Sequence, residues 1–131
     1  MAGEVESILA ALNLLDVARR PVGEIAYGQQ RLLEIGIALA LRPKVLLLDE
    51  PAAGVPSSET ALIEQALERL PPSLGVLMIE HDMDLVFRFA KRVAVLVAGE
   101  IIFDGAPADA AVDEKVREAY LGTYAHARSV A

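Results

Sequence analysis

Val45-Leu46-Leu47-Leu48-Asp49-Glu50-Pro51 is an aliphatic run that ends in two adjacent carboxylates. Bounded by Pro43 and Pro51, it is too brief for a helix and reads as a short, buried, parallel strand. A strand of this shape delivers magnesium and water chemistry to a nucleotide phosphate. Such chemistry needs a glycine-rich phosphate loop of pattern G-x-x-x-x-G-K-S/T. Upstream of Val45 the chain has only Gly3, Gly23, Gly28 and Gly36, none followed by Lys-Ser or Lys-Thr at that spacing. The residues read as half of a nucleotide-hydrolysing machine.

On either side of this strand the pattern alternates between helix and strand, with no low-complexity tract and no internal repeat. Val5, Ile8, Leu9, Leu12 and Leu15 recur at three- and four-residue steps, which predicts an amphipathic helix from about Glu4 to Val17, ended by Arg19-Arg20-Pro21. A second helix is expected from Gly28 to about Leu41, stopped before Pro43. Ile35, Ile37, Leu39 and Leu41 make it apolar nearly all round, so it is expected to be buried. Pro56-Ser57-Ser58-Glu59 reads as the start of a third helix with Leu62, Ile63, Ala66, Leu67 and Leu70 inside. Val76 to Ile79 repeats the strand pattern. Asp82 is placed to cap a helix that carries Asp84 in its first turn and ends on Lys91 and Arg92. Val93–Val97 and Glu100–Asp104 read as a hairpin around Ala98-Gly99, and short helices are expected near Pro107–Ala111 and Asp113–Leu121.

Composition sets the outer bounds. The 131 residues are 54% hydrophobic, enough for one domain with a real core. Glu34, Arg42, Lys44 and Asp49 interrupt the longest apolar region, so no run reaches the length of a membrane span. The N-terminus lacks the basic and apolar regions of an export signal, and there is no cysteine, so a cytoplasmic place is expected. A net charge of −7 argues against nucleic acid as a partner, because phosphate binding by counterion release needs clustered Lys and Arg. The same charge means that any bound anion needs local cations, a helix N-terminus or Mg²⁺.

Strands that alternate with helices of these lengths imply crossover connections and a largely parallel sheet, the α/β class. In such sheets ligands gather at the carboxyl ends of strands. Two strand ends carry chemistry here, Asp49-Glu50 and Glu80-His81. If the strands are neighbours, their groups converge: Asp49 to hold Mg²⁺ through water, Glu50 to orient or deprotonate an attacking water, His81 to sense the transferred phosphate. Either strand end alone reads equally as a buried strand leaving for solvent, and His81 as a hydrogen-bonded loop histidine. The two ends together, one helix apart, favour the catalytic reading.

Ile25-Ala26-Tyr27-Gly28-Gln29-Gln30-Arg31 resembles the signature segment of ABC-transporter ATPases, in the form found in branched-chain amino acid importers. Leu48-Asp49-Glu50-Pro51-Ala52-Ala53-Gly54 is similar to their Walker B segment with its catalytic glutamate, and Ile79-Glu80-His81-Asp82-Met83 to their switch-histidine loop. Gly99-Glu100-Ile101-Ile102 and the ending Glu118-Ala119-Tyr120-Leu121-Gly122 resemble the close of that subunit. The resemblance implies a partial RecA-like P-loop NTPase core, mostly parallel sheet with flanking helices, in residues 43–131. It implies the end of the helical signature subdomain in residues 1–42. It also implies a head-to-tail dimer in which Tyr27, Gly28 and Gln29 face the ATP of an opposing subunit. Asp49 then serves the water-mediated Mg²⁺ shell, Glu50 is the general base and His81 contacts the γ-phosphate. Membrane permease subunits are the implied partners, at the inner face of the cell membrane. For Gly28 and Gln29 the plain alternative is an ordinary helix start.

Three positions depart from the family pattern. Ala26 replaces a serine hydroxyl, a lost hydrogen bond to a charged group worth about 1.5–3 kcal/mol. Pro56 stands where the family has an acidic or amide residue that couples two sites, and Ile37 replaces an arginine. Without a Walker A lysine and its backbone cradle, negligible ATPase activity is expected from this chain alone. The strand that carries that loop in the family lies between the strands around Val76–Ile79 and Val93–Val97. Its loss leaves apolar edges that invite a homo-oligomer with exchanged elements. Two classes of function follow: the C-terminal half of an ATP-hydrolysing importer subunit, or a degenerate, non-catalytic module that assembles with partner subunits.

Overall fold

In the computed structural model, which describes residues 2–120, the chain divides between His81 and Asp82 into two units. The expected family-like ending at Leu121-Gly122 and the end of the last predicted helix lie outside the described residues.

The first unit opens with helix α1, Ala2–Ala11. The predicted continuation to Val17 does not occur. Asn13 takes a left-handed conformation (φ 57°), and a 3-10 turn over Leu15–Val17 follows. The amide of Leu14 reaches back to the carbonyl of Leu9 at 2.8 Å, while Arg69 Nη1 donates to Asn13 Oδ1 at 3.0 Å. The break has a packing reason: it buries Leu12, Leu14 and Val17 together, which a continuous helix at that spacing does not do. Asparagine tolerates this backbone better than a branched residue.

Helix α2 runs over Tyr27–Ala40 and packs against α1 and against α3, Thr60–Glu68. Its buried residues are Gly28, Leu32, Ile35 and Gly36. The expectation of burial all round fails, because Ile37 is 63% and Leu41 82% exposed. One face meets the neighbouring helices, and Gly36 permits that approach: a Cβ there would stand 2.9 Å from Leu12 Cδ1. Helix α3 starts one turn later than Pro56-Ser57-Ser58-Glu59 suggests, but its inner stripe of Ile63, Ala66 and Leu67 is buried as expected.

Strand β1, Val45–Asp49, pairs in parallel with β2, Gly75–Ile79, so that Leu47 lies beside Leu77 and Asp49 beside Ile79. Laterally paired residues share a face. One face carries buried Leu46 and Leu48 beside Val76 and Met78. The other presents Val45, Leu47, Leu77 and Ile79, each more than half exposed.

The second unit begins with α4, Met83–Phe89, capped as predicted by Asp82, whose Oδ1 accepts from the amides of Asp84 and Leu85. The helix stops before Lys91 and Arg92, contrary to expectation, because Ala90 turns to an extended conformation. Arg92 instead grips Asp104 with two hydrogen bonds of 2.7 Å across the hairpin of β3, Val93–Val97, and β4, Glu100–Gly105. The hairpin is antiparallel, with a bulge at Val95/Leu96, and forms its own two-stranded sheet. Helix α5, Pro107–Val112, begins with proline in its first turn, and a further helical stretch covers 114–120. Leu85, Val93, Ala110 and Val116 form the buried centre of this unit.

Ala98 and Gly99 both have positive φ, 49° and 82°, as a two-residue hairpin turn of matching twist requires. Alanine is strained in this region and asparagine much less so. Ala98→Asn should stabilise the protein by about 1 kcal/mol in urea denaturation. The bidentate hydrogen bonds from Arg92 hold the Asp104 carboxyl below its ordinary range, with burial opposing and the arginine charge assisting. A depressed carboxylate pKa stabilises the fold above the unfolded value and loses that contribution as pH falls through the folded value. Asp104→Asn should therefore flatten the acid limb of a thermal-stability profile against pH.

Candidate functional site

The parallel ladder brings the two chemically loaded strand ends together. The pairing continues one step past β1, where the Glu50 amide donates to the Ile79 carbonyl at 2.8 Å. Glu50 then turns into the left-handed region (φ 45°), a conformation uncommon for a non-glycine residue and associated with functional turns. Its carboxylate Oε1 lies 2.7 Å from His81 Nδ1. A carboxylate only accepts, so Nδ1 carries the proton of this bond. The His81 side chain is 80% exposed and that of Glu50 42%, so the pair stands at a solvent-facing rim.

Asp49, next to Glu50, is also exposed. It lines an open depression of about 190 Å³ together with Arg31, Glu34, Ile35 and Pro51. Arg31 spans two partners there: Nη1 bonds Glu34 Oε2 at 2.9 Å and Nη2 donates to the Glu50 carbonyl at 3.3 Å. A guanidinium thus steadies the backbone of the turn that presents Glu50. Among the described residues no three His, Asp or Glu side chains are grouped to hold a metal. One exposed carboxylate at a strand end suits Mg²⁺ as that ion is bound with phosphates, through one or two carboxylates and several waters. Glu80 Oε1 is buried with no hydrogen-bond partner among the described residues. An acceptor in that state costs about 1–3 kcal/mol.

Tyr27, Gly28 and Gln29 form the first turn of α2. Ala26 is the N-cap and has no side-chain acceptor to offer. Gln29 Oε1 accepts from the Ala26 amide at 3.1 Å, which is half of a capping box. The Gly28 amide is satisfied from a distance of thirty-one residues along the chain, by Glu59 Oε2 at 2.6 Å. A Cβ on Gly28 would stand 2.8 Å from that oxygen and 3.1 Å from the Glu59 Cβ. The Tyr27 ring lies over the same segment, with its hydroxyl 3.7 Å from where a Gly54 Cβ would be. Gly54 has φ 72°.

Sequence reasoning missed Arg31 and Glu59. The one clue to Glu59 is Ala26, a poor N-cap that leaves first-turn amides in need of an acceptor. Nothing in local spacing says which residue supplies it.

Residues 1–53 match the family model of the ABC transporter, and residues 100–126 that of the branched-chain amino acid ATP-binding cassette transporter. The high-affinity branched-chain amino acid transport ATP-binding protein BraF of Pseudomonas aeruginosa is 40% identical over 116 residues, 87% of this chain and 46% of BraF. The probable branched-chain amino acid transport ATP-binding protein LivG of Methanocaldococcus jannaschii is 35% identical over 127 residues, 93% of this chain and 49% of that protein. A solved ATP-binding cassette of an ABC transporter, in its ADP conformation, is similar with a TM-score of 0.79 at 34% identity. That similarity covers 92% of this chain and 49% of the solved one. The chain spans about half the length of the relatives it matches.

Crowding at Gly28 can be tested directly. Gly28→Ala should push Glu59 off the helix start and destabilise the protein by about 1–2 kcal/mol in urea titration, despite alanine's better helix propensity.

Proposed function

Because the chain belongs to the ABC-transporter family of ATP-binding cassettes, we propose that it is the C-terminal half of an importer ATPase subunit and hydrolyses ATP only when a phosphate-loop half joins it. The observation that carries this reading is the 2.7 Å contact between Glu50 and His81 beside exposed Asp49. Folding does not require a carboxylate, an imidazole and a second carboxylate at adjacent strand ends, whereas hydrolysis uses all three.

In this reading Glu50 accepts a proton from, or orients, the attacking water, and the hydrogen bond from His81 fixes the orientation of its carboxylate. His81 is the γ-phosphate contact. Asp49 holds Mg²⁺ through water, and that ion neutralises charge on the phosphates. Tyr27, Gly28 and Gln29 face the ATP of an opposing subunit, where amides at a helix N-terminus favour a phosphate. Residues 1–42 close the helical signature subdomain and 43–131 belong to the nucleotide-binding core.

The transported solute is an amino acid of the branched-chain class, a reading supported by the match over residues 100–126 and by the names of the relatives. Membrane permease subunits are the partners, and the working place is the cytoplasmic face of the cell membrane. No helix of the described residues is long and apolar enough to cross a membrane. The exposed face of Val45, Leu47, Leu77 and Ile79, with outer edges of β1 and β2 that pair with no other strand among the described residues, favours self-association with exchanged elements.

A second reading, a non-catalytic assembly module, is favoured by one feature: the α2 first turn lacks a hydroxyl at Ala26 and its Gly28 amide is already engaged. Complementation separates the two. Mixed with a separately produced phosphate-loop half of BraF, the chain should hydrolyse ATP measurably in a phosphate-release assay. Glu50→Gln should then lower kcat at least about 100-fold. Alone it should show no hydrolysis and no submicromolar affinity for Mg-ATP by calorimetry. No hydrolysis by a mixture that demonstrably forms a complex would favour the module. Sedimentation as a clean monomer at high concentration would remove the self-association.

A further inference from the structure

The Gly28 amide, assigned above to the phosphate of an opposing ATP, is held in this chain by the Glu59 carboxylate. The bond is short, at 2.6 Å, and partly buried. Gly28 itself is buried, Ala26 offers no competing acceptor, and the side-chain oxygen of Gln29 is taken by the Ala26 amide. A carboxylate is also the charge that the positive end of α2 favours. One N–H does not serve two anionic oxygens at full strength, so a phosphate that takes the Gly28 amide must displace Glu59.

Glu59 does not leave alone. It ends the turn that precedes α3, with its own amide bonded to the Pro56 carbonyl at 2.8 Å. The segment behind it reaches back to the proposed general base through two short turns, Val55 amide to Ala52 carbonyl and Ala53 amide to Glu50 carbonyl, at 3.2 and 3.0 Å. Tyr27 covers Gly54 within the same stretch. The α2 first turn and the loop that follows Glu50 are therefore joined at two points, one of them an ion on a helix N-terminus.

We propose that Glu59 is a displaceable internal anion, which caps Gly28 in the free chain and yields that amide to a phosphate oxygen, so that nucleotide arriving at α2 releases the 54–59 loop. The proposal rests on the reading of Tyr27, Gly28 and Gln29 as a nucleotide contact. It makes Glu59 a positioning residue that links the contact for one nucleotide to the loop carrying Glu50 within the same copy.

The test is a titration with Mg-ATP of the ¹⁵N-labelled full chain mixed with the unlabelled phosphate-loop half of BraF, with the Gly28 and Gly54 amide resonances followed in wild type, Glu59→Gln and Glu59→Ala. Glu6→Gln serves as control for net charge, since Glu6 is an exposed residue of α1. In wild type both amides should move together, with one midpoint. Glu59→Gln keeps a neutral acceptor and so keeps the cap, but removes the like charge. It should bring the midpoint down roughly tenfold, the scale of one like-charge contact at a partly exposed site. In Glu59→Ala, Gly28 should still respond at the lower concentration while Gly54 no longer follows. Equal midpoints in wild type and Glu59→Gln, or an equal drop in Glu6→Gln, would overturn the displacement while leaving the nucleotide contact standing. Silence of Gly28 in every variant would sink the contact and the displacement together.

Discussion

The parallel pairing of Val45–Asp49 with Gly75–Ile79 is the constraint on which the site depends, because it sets two distant strand ends side by side with a register of one residue. A slip by a single step would turn Leu46 and Leu48 out of the core and carry Asp49 to the opposite face. Burial of those two leucines therefore specifies the register. The ladder's last bond, from the Glu50 amide to the Ile79 carbonyl, then delivers Glu50 to His81. Hydrophobic burial on one face thus positions polar chemistry at its end. The opposite face leaves Val45, Leu47, Leu77 and Ile79 more than half exposed.

Helix α2 is shared between packing and chemistry. Its Leu32, Ile35 and Gly36 face the core, and Gly36 lets Leu12 approach closely. Its first turn meets Glu59 and Gly54, while Arg31, one turn further on, touches the Glu50 carbonyl. A single helix therefore connects the start of the signature-like segment to the turn that presents Glu50. Glycine at position 28 is required by the closeness of Glu59 rather than by backbone conformation, since position 28 lies within an ordinary helix.

The strands, the hairpin around Ala98-Gly99 and the Asp82 cap were legible because each rests on short-range chemistry. A four-residue aliphatic run between prolines has few other options, and an aspartate two residues before free amides makes a local bond. The errors share an opposite cause. Periodicity through Leu12 and Leu15 hid the break at Asn13, which exists to bury Leu14 and Val17 and is held by Arg69 from far along the chain. Composition made α2 look buried all round, yet Ile37 and Leu41 are mostly exposed among the described residues. Lys91 and Arg92 suited the end of α4 electrostatically, but Asp104 on the hairpin offered Arg92 a better, two-pronged partner.

From its residues alone, this protein declares two aliphatic strands that end in Asp49-Glu50 and Glu80-His81, one helix apart, because those facts live in residue type and order. Only folding in three dimensions decided that Glu50 and His81 would touch, that Arg31 would brace the turn at Glu50, and that Glu59 would take the place of the cap Ala26 cannot provide. The reason is one of range. Side-chain chemistry and turn preference act over a few residues, whereas a contact between positions thirty-one apart exists only once burial of Leu46, Leu48 and Ile63 has closed the chain upon itself.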